Sequence, residues 1–163
     1  MLPGGLPPTN HLDIVRMHSY PRHMETEQPP DDCNCLVLRQ AARRVTQLYE
    51  RYLGAVGLTT AQFSIISKIA RYPGVTTLEL AEQMVMDRTT LVRAVKPLQR
   101  EGLVLASKGP GAGRTHVLSL TVEGQIRYTL ARESWRAAQA EFERRFGAAR
   151  AESVREELRA IAV

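Results

Sequence analysis

Apolar residues recur at three- and four-residue steps over most of the chain after residue 31, which is typical of amphipathic helices packed on a core. The first such stretch is followed by GAVGL at residues 54–58, whose glycines predict a helix end. A second helix follows it. The predicted buried faces are Leu38, Ala41, Val45, Leu48, Tyr49 and Tyr52 in the first helix, and Phe63, Ile66, Ile69 and Ala70 in the second.

Polar residues predict where several of these helices begin. In a capping box, a Thr side chain and a Gln or Glu three residues later each accept a hydrogen bond from the other's backbone amide. The pattern occurs twice, at Thr59 with Gln62 and at Thr76 with Glu79. YPG at residues 72–74 ends the first of the two helices, and the second extends through Met84. Asp87 predicts the cap of a further helix over residues 88–100, which ends at Glu101–Gly102.

The hydrophobic period then changes from helical to alternating. LVLASKG and RTHVLSLT are short runs rich in β-branched residues, and PGAG separates them, so they predict a two-stranded hairpin. Thr121 predicts the cap of a long helix that Gly147 ends, before a last short helix. The predicted apolar positions are Ile126, Leu130, Trp135, Ala138, Phe142 and Phe146 in the long helix, and Val154, Leu158 and Ile161 in the last.

Two helices, a turn, a third helix and a hairpin form the element order of a winged helix-turn-helix, so the predicted fold is mainly α with a small β-hairpin. Residues 88–100 would be the recognition helix. The net charge of +5 and the pI of about 9.6 indicate an anionic partner without identifying one. The segment from Arg88 to His116 contains six Lys or Arg residues and a single acid, Glu101. The excess of positive charge is therefore concentrated in the part of this fold that contacts DNA.

Specific side chains in this region are candidates for contact with double-stranded DNA. Arg88 and Arg93 can reach guanine or phosphate, and the short hydroxyl side chains of Thr89 and Thr90 allow close approach of the backbone. Lys96 and Lys108 add charge on the helix and on the hairpin. The alternative is a solvated basic face on another small helical protein.

The stretch LTTAQFSIISKIARYPGVTTLELAEQMVMDRTTLVRAVKPLQREGLV resembles the DNA-binding core of the MarR (multiple antibiotic resistance regulator) family. RTHVLSLTVEGQ resembles that family's wing strand and the start of its long helix. The resemblance implies a MarR-type domain over residues 31–163, with the winged helix-turn-helix at 58–121 and N- and C-terminal dimerisation helices at 31–54 and 122–163. It also implies a homodimer on a palindromic operator, usually a repressor released by a small molecule or an oxidant.

The resemblance also carries over one residue role and one departure. Arg114 matches the family's wing-tip arginine, which is expected to enter the minor groove. The family commonly has an aspartate two residues earlier to orient that arginine, whereas this chain has Ala112. The departure leaves a second function open, namely a helical dimer that is a ligand-binding or interaction module and has lost DNA binding.

Two cysteines raise a separate question. Cys33 and Cys35 lie near the start of the first helix, where a spacing of two residues turns side chains about 200° apart and opposes a bond between them. The helix start favours thiolate at Cys33, whereas Asp31 and Asp32 oppose it. Packing residues, redox sensors and a soft-metal site shared between subunits all remain open readings.

The effector pocket cannot be assigned from the sequence. In the family, a pocket often lies between the dimer helices and the winged lobe. Candidates for its lining are Tyr49, Phe63, Tyr72 and Trp135, and the alternative for each is a core residue. Arg39 or Arg43 could pair with an acidic ligand, and the alternative is that both face solvent.

The remaining patterns exclude other classes of protein. GPGAG lacks the Lys-Ser/Thr and the helix of a phosphate loop, and no metalloprotease or nucleophile-elbow motif occurs, so neither an enzyme nor a cofactor is predicted. His11, His18 and His23 lack partners at metal-ligand spacing, so no metal site is predicted.

The proline-rich residues 1–30 predict a tail or an arm that crosses onto a partner subunit. No apolar run of membrane-spanning length and no signal peptide occur, which predicts a cytoplasmic protein without membrane contact.

Overall fold

A computed structural model of the chain describes residues 33–109 and 116–161. The tail or arm predicted at residues 1–30, the acids before Cys33 and the wing-tip residues Ala112 and Arg114 lie outside the described residues. Over the described residues the fold is mainly helical with a small sheet, as predicted. Its elements are α1 (Asn34–Leu53), α2 (Thr60–Arg71), β1 (Val75–Thr76), α3 (Thr77–Gln83), α4 (Arg88–Arg100), β2 (Val104–Lys108), β3 (His116–Leu120), α5 (Val122–Phe146) and α6 (Ala148–Ile161), and a single 3-10 turn (Gly54–Val56) follows α1.

The core contains residues of α1 to α5 and of the sheet, and part of it lies where α4 packs against α2 and α3. Leu80 of α3 and Leu91 and Leu98 of α4 are completely buried there, against Ile65 and Ile66 of α2. Burying one such side chain contributes about 1.5–3 kcal/mol, so these contacts orient α4 firmly on the helices behind it. The predicted stripe of α1 is buried only in its second half, since Leu38 is 40% exposed whereas Leu48 and Tyr49 are buried.

The sheet has three antiparallel strands in the order β1–β3–β2, so the predicted hairpin is confirmed but a third strand was missed. β2 pairs with β3 from Val104 opposite Leu120 to Lys108 opposite His116. β1 adds Val75 opposite Leu118, and the amide of Gly74 donates to the Leu118 carbonyl at 3.0 Å. A two-residue strand is too short to show an alternating pattern in the sequence.

The predicted helix caps are confirmed. Thr59 and Thr76 each form the complete capping box with the residue three positions later, and Thr121 accepts from the amide of Gly124. The Asp87 carboxylate accepts from the Thr90 amide at 2.8 Å and also from the Thr90 hydroxyl. These two bonds, the hydroxyl first, hold the pKa of Asp87 below its ordinary value.

Small residues supply the fully buried apolar positions of α5. Ile126 and Leu130, two of the predicted apolar positions, are 51% and 55% exposed. Ala138, which was also predicted, is buried, and Gly124 and Ala131 are buried with it at seven-residue intervals along the helix. Short side chains at this spacing let α5 approach the neighbouring backbone closely, while larger aromatic residues of α5 are partly buried against the same core.

Among the described glycines, Gly124 lies closest to another segment of the backbone. A Cβ built on Gly124 would lie 2.0 Å from the carbonyl oxygen of Leu103 and 2.9 Å from its carbonyl carbon. The same carbonyl accepts a hydrogen bond from the Thr121 amide at 3.1 Å, and the Thr121 hydroxyl donates to the Gly102 carbonyl at 2.6 Å. The first turn of α5 is therefore fixed to the segment that joins α4 to β2.

The turn between α3 and α4 contains a strained residue. Val85 has a φ of +52°, the one positive φ outside glycine among the described residues. It follows the C-terminus of α3 at the site where glycine usually allows a left-handed conformation. Its amide donates to the Glu82 carbonyl, and the Met86 amide donates to the Ala81 carbonyl. For a β-branched residue this backbone conformation costs about 1–2 kcal/mol.

Within the described ranges, no single helix is long and apolar enough to cross a membrane. Asn34–Val56 and Thr60–Arg71 reach the length and apolar composition of a membrane span only when they are taken together, and the two segments are bent by 72° relative to each other.

We expect Gly124→Ala to lower the free energy of unfolding by about 3 kcal/mol or more, because the added methyl overlaps backbone atoms that cannot move without breaking the Leu103–Thr121 bond. Urea unfolding followed by circular dichroism measures the change. Gly54→Ala is the matched control, since a Cβ at Gly54 meets nothing within 4 Å and its φ of −59° suits alanine. Equal stability of the two variants would show that the approach is loose.

The Asp87 cap predicts a pH dependence. Because the pKa of Asp87 is lowered in the folded state, its stabilisation is present above the unfolded-state pKa and is lost as the pH falls through the folded-state pKa. Asp87→Ser keeps a capping oxygen and removes the charge. We expect the melting temperature of the parent to exceed that of Asp87→Ser near neutral pH, and the gap to close in strong acid. A gap independent of pH would contradict the assignment.

Candidate nucleic-acid interface

Helix α4 presents a cationic row directly away from the core. Its buried side chains are Leu91, Val95 and Leu98, and at 100° per residue the opposite direction lies near residues 89, 93, 96 and 100. All four of these side chains, Thr89, Arg93, Lys96 and Arg100, are exposed. Arg93, Lys96 and Arg100 also line a shallow depression of about 360 Å³ beside Pro97 and Gln99.

No described carboxylate neutralises these cations. Arg93, Lys96 and Arg100 make no ion pair within residues 33–109 and 116–161, and the same holds for Arg88. By contrast, five of the arginines of α5 and α6 pair with glutamates, as Arg136 does with Glu133. Unpaired cations in one row are available to phosphates, whereas paired ones must first lose a partner.

The predicted contact residues at the start of α4 are not equivalent. Arg88 is the first residue of the helix and is exposed, on the flank of the row rather than at its centre. Thr90 is also exposed, but its hydroxyl donates to the Asp87 carboxylate. Its hydroxyl hydrogen is therefore used in the helix cap, and Thr90 can only accept a hydrogen bond from a ligand. Thr89 lies on the outward row, and its hydroxyl makes no hydrogen bond to the described part of the chain.

One more predicted DNA-contact residue, Lys108, lies on the β2–β3 hairpin, which is the wing. Lys108 ends β2 opposite His116 of β3, and both residues are exposed at the far end of the hairpin. Arg114 lies outside the described residues, so its predicted entry into the minor groove stays a prediction. Arg100 is one of the six basic residues between Arg88 and His116, and no DNA contact was predicted for it. Its spacing from Arg93 and Lys96, seven and four residues, already indicates that it lies on the same row of the helix.

A cavity of about 630 Å³ lies between α1, α2, the end of α3 and α5. Three predicted residues line it: Tyr49, Phe63 and Trp135. Phe63 stacks between Tyr128 and Trp135, with ring centroids 6.2 Å apart in both pairs. These rings form an aromatic wall that suits a flat ligand.

Among the described residues, the charged side chains that line the cavity are both cationic. Lys68 and Arg132 line it, and no carboxylate is among the lining residues. The Arg132 guanidinium lies 5.9 Å from the centroid of the Tyr128 ring and makes no ion pair with any described carboxylate. The Thr60 hydroxyl, also in the lining, is buried without a hydrogen-bond partner. Two cations and an unsatisfied hydroxyl beside aromatic rings can hold an aromatic anion.

The structure places three other candidate residues outside this cavity, and for Arg39 and Arg43 it agrees with the alternative that they face solvent. Tyr72 is 43% exposed on the surface and accepts a hydrogen bond from Arg71 at 3.3 Å, so it is not part of the lining. Arg39 and Arg43 are exposed on α1 and do not line the cavity either. The sequence did contain a signal for the true polar side: Thr60, Ser64, Ser67 and Lys68 form a polar stripe of helical period along α2.

A hydrogen-bond chain leads from this cavity to α6. The Tyr49 hydroxyl donates to the Gln139 side-chain oxygen, and the Gln139 amide donates to Glu143 at 3.0 Å. Arg155 of α6 donates to the same Glu143 carboxylate at 3.2 Å. Burial, followed by the charge of Glu143, raises the pKa of Tyr49, which keeps this hydroxyl protonated as a donor.

The two cysteines are exposed free thiols at the start of α1. Cys33 precedes the helix and Cys35 is its second residue. Within the ranges that the structure describes, no group of three or more His, Cys, Asp or Glu residues could hold a metal ion.

Known proteins resemble this chain in sequence and fold. The MarR family model matches residues 58–116. An organic hydroperoxide resistance transcriptional regulator of Bacillus subtilis (strain 168) is 24% identical over 92 residues, which are 56% of this chain and 63% of that protein. The chain spans 52–63% of the length of the first curated relatives that it matches.

Solved structures match over more of the chain. The M. tuberculosis transcriptional regulator MosR, in complex with DNA, is 34% identical, with a TM-score of 0.72 over 80% of this chain and 94% of MosR. CouR from Rhodococcus jostii RHA1, bound to p-coumaroyl-CoA, is 22% identical and shares the fold, with a TM-score of 0.70 over 83% of this chain and 96% of CouR.

The matched DNA-binding core, the winged helix-turn-helix fold and the near-complete coverage of a relative at 34% identity agree with one another: the chain belongs to the MarR family of transcriptional regulators.

Proposed function

We propose that this regulator represses transcription by binding a palindromic operator as a homodimer, and that it leaves the operator when an aromatic anion enters the cavity between α1, α2 and α5. The observation that carries the proposal is the outward row of unpaired cations on α4. Contact with phosphates would release counterions, which is the main sequence-independent source of affinity for DNA.

The chemistry of α4 divides between its two ends. A major groove admits one helix, and the residues at its front meet base edges. Arg88 and Thr89 occupy that front and can make contacts that depend on base sequence. Arg93, Lys96 and Arg100 follow along the row and suit phosphates on the groove wall, together with Lys108 of the wing.

The proposal of a homodimer rests on apolar residues near both ends of the described chain. Val37 and Leu38 of α1 are 49% and 40% exposed, and Leu158 and Ile161 of α6 are 43% and 69% exposed. Burial of these residues against a second copy would remove a large apolar area from water, as stable dimers require. A two-fold dimer presents two copies of α4, which is why the operator would be palindromic.

The proposal of an aromatic anion as effector rests on the lining of the cavity. Phe63, Tyr128 and Trp135 supply flat apolar surface, while Lys68 and Arg132 supply charge. The buried Thr60 hydroxyl lacks a partner that a ligand oxygen would provide. An oxidant acting on Cys33 or Cys35 is the second candidate signal, because both thiols are exposed.

Duplexes selected by the parent protein from a random pool should bind in a salt-dependent manner, with two chains per duplex and a symmetric preferred sequence. We expect Lys96→Gln to lower the slope of log affinity against log salt by about 1 for each lobe, because one phosphate contact is lost. Fluorescence anisotropy at several salt concentrations measures the slope.

Two further variants sharpen this experiment. Arg88→Ala should cost about 1–3 kcal/mol on the selected sequence and relax base preference, whereas Lys108→Ala should weaken all sequences alike. Arg136→Gln on α5 is the control with an unchanged slope, since Arg136 is already paired with Glu133. If the parent enriches no duplex, the proposal fails and the interaction module without DNA binding becomes the better reading.

Benzoate, a minimal aromatic carboxylate, should dissociate the complex with the selected duplex, and neutral benzamide should act more weakly. We expect Arg132→Gln to raise the half-effective benzoate concentration about tenfold, because one charge-assisted hydrogen bond is lost. Anisotropy titrations measure the concentration.

Arg136→Gln, one turn further along the same helix and outside the lining, should respond like the parent. Peroxide provides a second arm of the test. Release by peroxide but not by benzoate, abolished by the double change Cys33→Ser and Cys35→Ser, would move the sensing function from the cavity to the cysteines.

A further inference from the structure

One exposed apolar side chain interrupts the polar surface of α4. Val92 is 39% exposed, whereas the other large aliphatic residues of this helix, Leu91, Val95 and Leu98, are buried. Arg88 lies one turn before it and Lys96 one turn after it, each about 40° away around the helix axis. Thr89 completes the surroundings. Val92 therefore stands among the residues that would enter the groove.

An exposed valine at position 92 disfavours the helix, and no contact with the core compensates for this loss of stability. A β-branched side chain loses rotamer freedom in a helix, and an exposed one gains little from burial in the core. The surrounding cations suit an anionic partner, but a branched hydrocarbon requires an apolar group on that partner. In the major groove the one hydrocarbon group on the base edges is the 5-methyl of thymine.

We propose that Val92 is a specificity-determining residue that contacts a thymine methyl in each half of the operator. This inference rests on the proposed function, since it needs α4 in the major groove. Contact between two methyl groups requires a carbon–carbon distance of about 4 Å, and the short side chain of Thr89 beside Val92 permits that approach. Arg88 and Lys96 are longer and extend past Val92 to base edges and phosphates.

Deoxyuridine provides the direct test, because it pairs as thymidine does and lacks only the 5-methyl group. Duplexes are first selected with the parent protein, and each thymine of the preferred site is then replaced in turn. We expect one thymine in each half-site at which replacement weakens the parent about three- to tenfold, the effect of losing a single methyl contact. Val92→Ala should bind the thymine and uracil forms of that position equally, and keep the parent's response at every other thymine.

Two variants make the result specific. Val92→Thr retains one γ-methyl and should keep part of the discrimination. Val122→Ala is the matched control, because Val122 is 81% exposed at the start of α5 and undergoes the same truncation outside α4. Its scan should equal that of the parent. Since alanine is a better helix former than valine, neither truncation threatens folding.

The outcomes separate this inference from the proposed function. Tight selected binding with no uracil-sensitive position, or with the same sensitive position in Val92→Ala, overturns the role of Val92 and leaves operator binding intact. Failure of the parent to enrich any duplex overturns both.

Discussion

The contact between Gly124 and the Leu103 carbonyl is the constraint on which the arrangement of the molecule depends. It joins the segment after the recognition helix to the first turn of the longest helix. Only glycine permits this approach, since any Cβ would overlap the carbonyl. Thr121 adds hydrogen bonds to the Gly102 and Leu103 carbonyls, so α4, the wing and α5 meet at one rigid junction.

This junction connects the α4 row and the cavity, the two candidate functional surfaces. Tyr128, Arg132 and Trp135 of α5 line the cavity, and they begin one turn beyond the junction. On the other side, Gln83 and Met84 line the cavity at the end of α3, and only Val85, Met86 and Asp87 separate them from α4. The recognition helix is thus attached at both ends to elements that form the cavity, rigidly through Gly124 and through a strained turn at Val85.

Local chemistry explains how far the sequence predicted this structure. Helix starts depend on two or three adjacent residues, so the capping boxes at Thr59 and Thr76 and the cap at Asp87 could be identified directly. The buried face of α5 was predicted only in part, at Ala138, because close packing selects small residues and leaves Ile126 and Leu130 exposed, against the rule that large apolar residues point inward. Strand β1 was missed because its pairing depends on partner residues that are 41 and 43 positions away in the sequence.

The candidate interface was more predictable than the cavity for the same reason. The row on α4 comes from a single helix, so helical spacing and charge place Arg93 and Lys96 together without knowledge of the fold. The cavity draws residues from four helices, and the cation it holds on α5, Arg132, is far in sequence from Arg39 and Arg43 on α1.

The ion pairs of the described residues lie on the long C-terminal helices and not on α4. Five of the arginines of α5 and α6 pair with carboxylates, for example Arg136 with Glu133 and Arg155 with Glu143, and such exposed pairs add little stability at ordinary salt. Their effect is to cancel charge on these long helices. Among the described residues the α4 row lacks this cancellation, so its positive charge remains available to an approaching phosphate backbone.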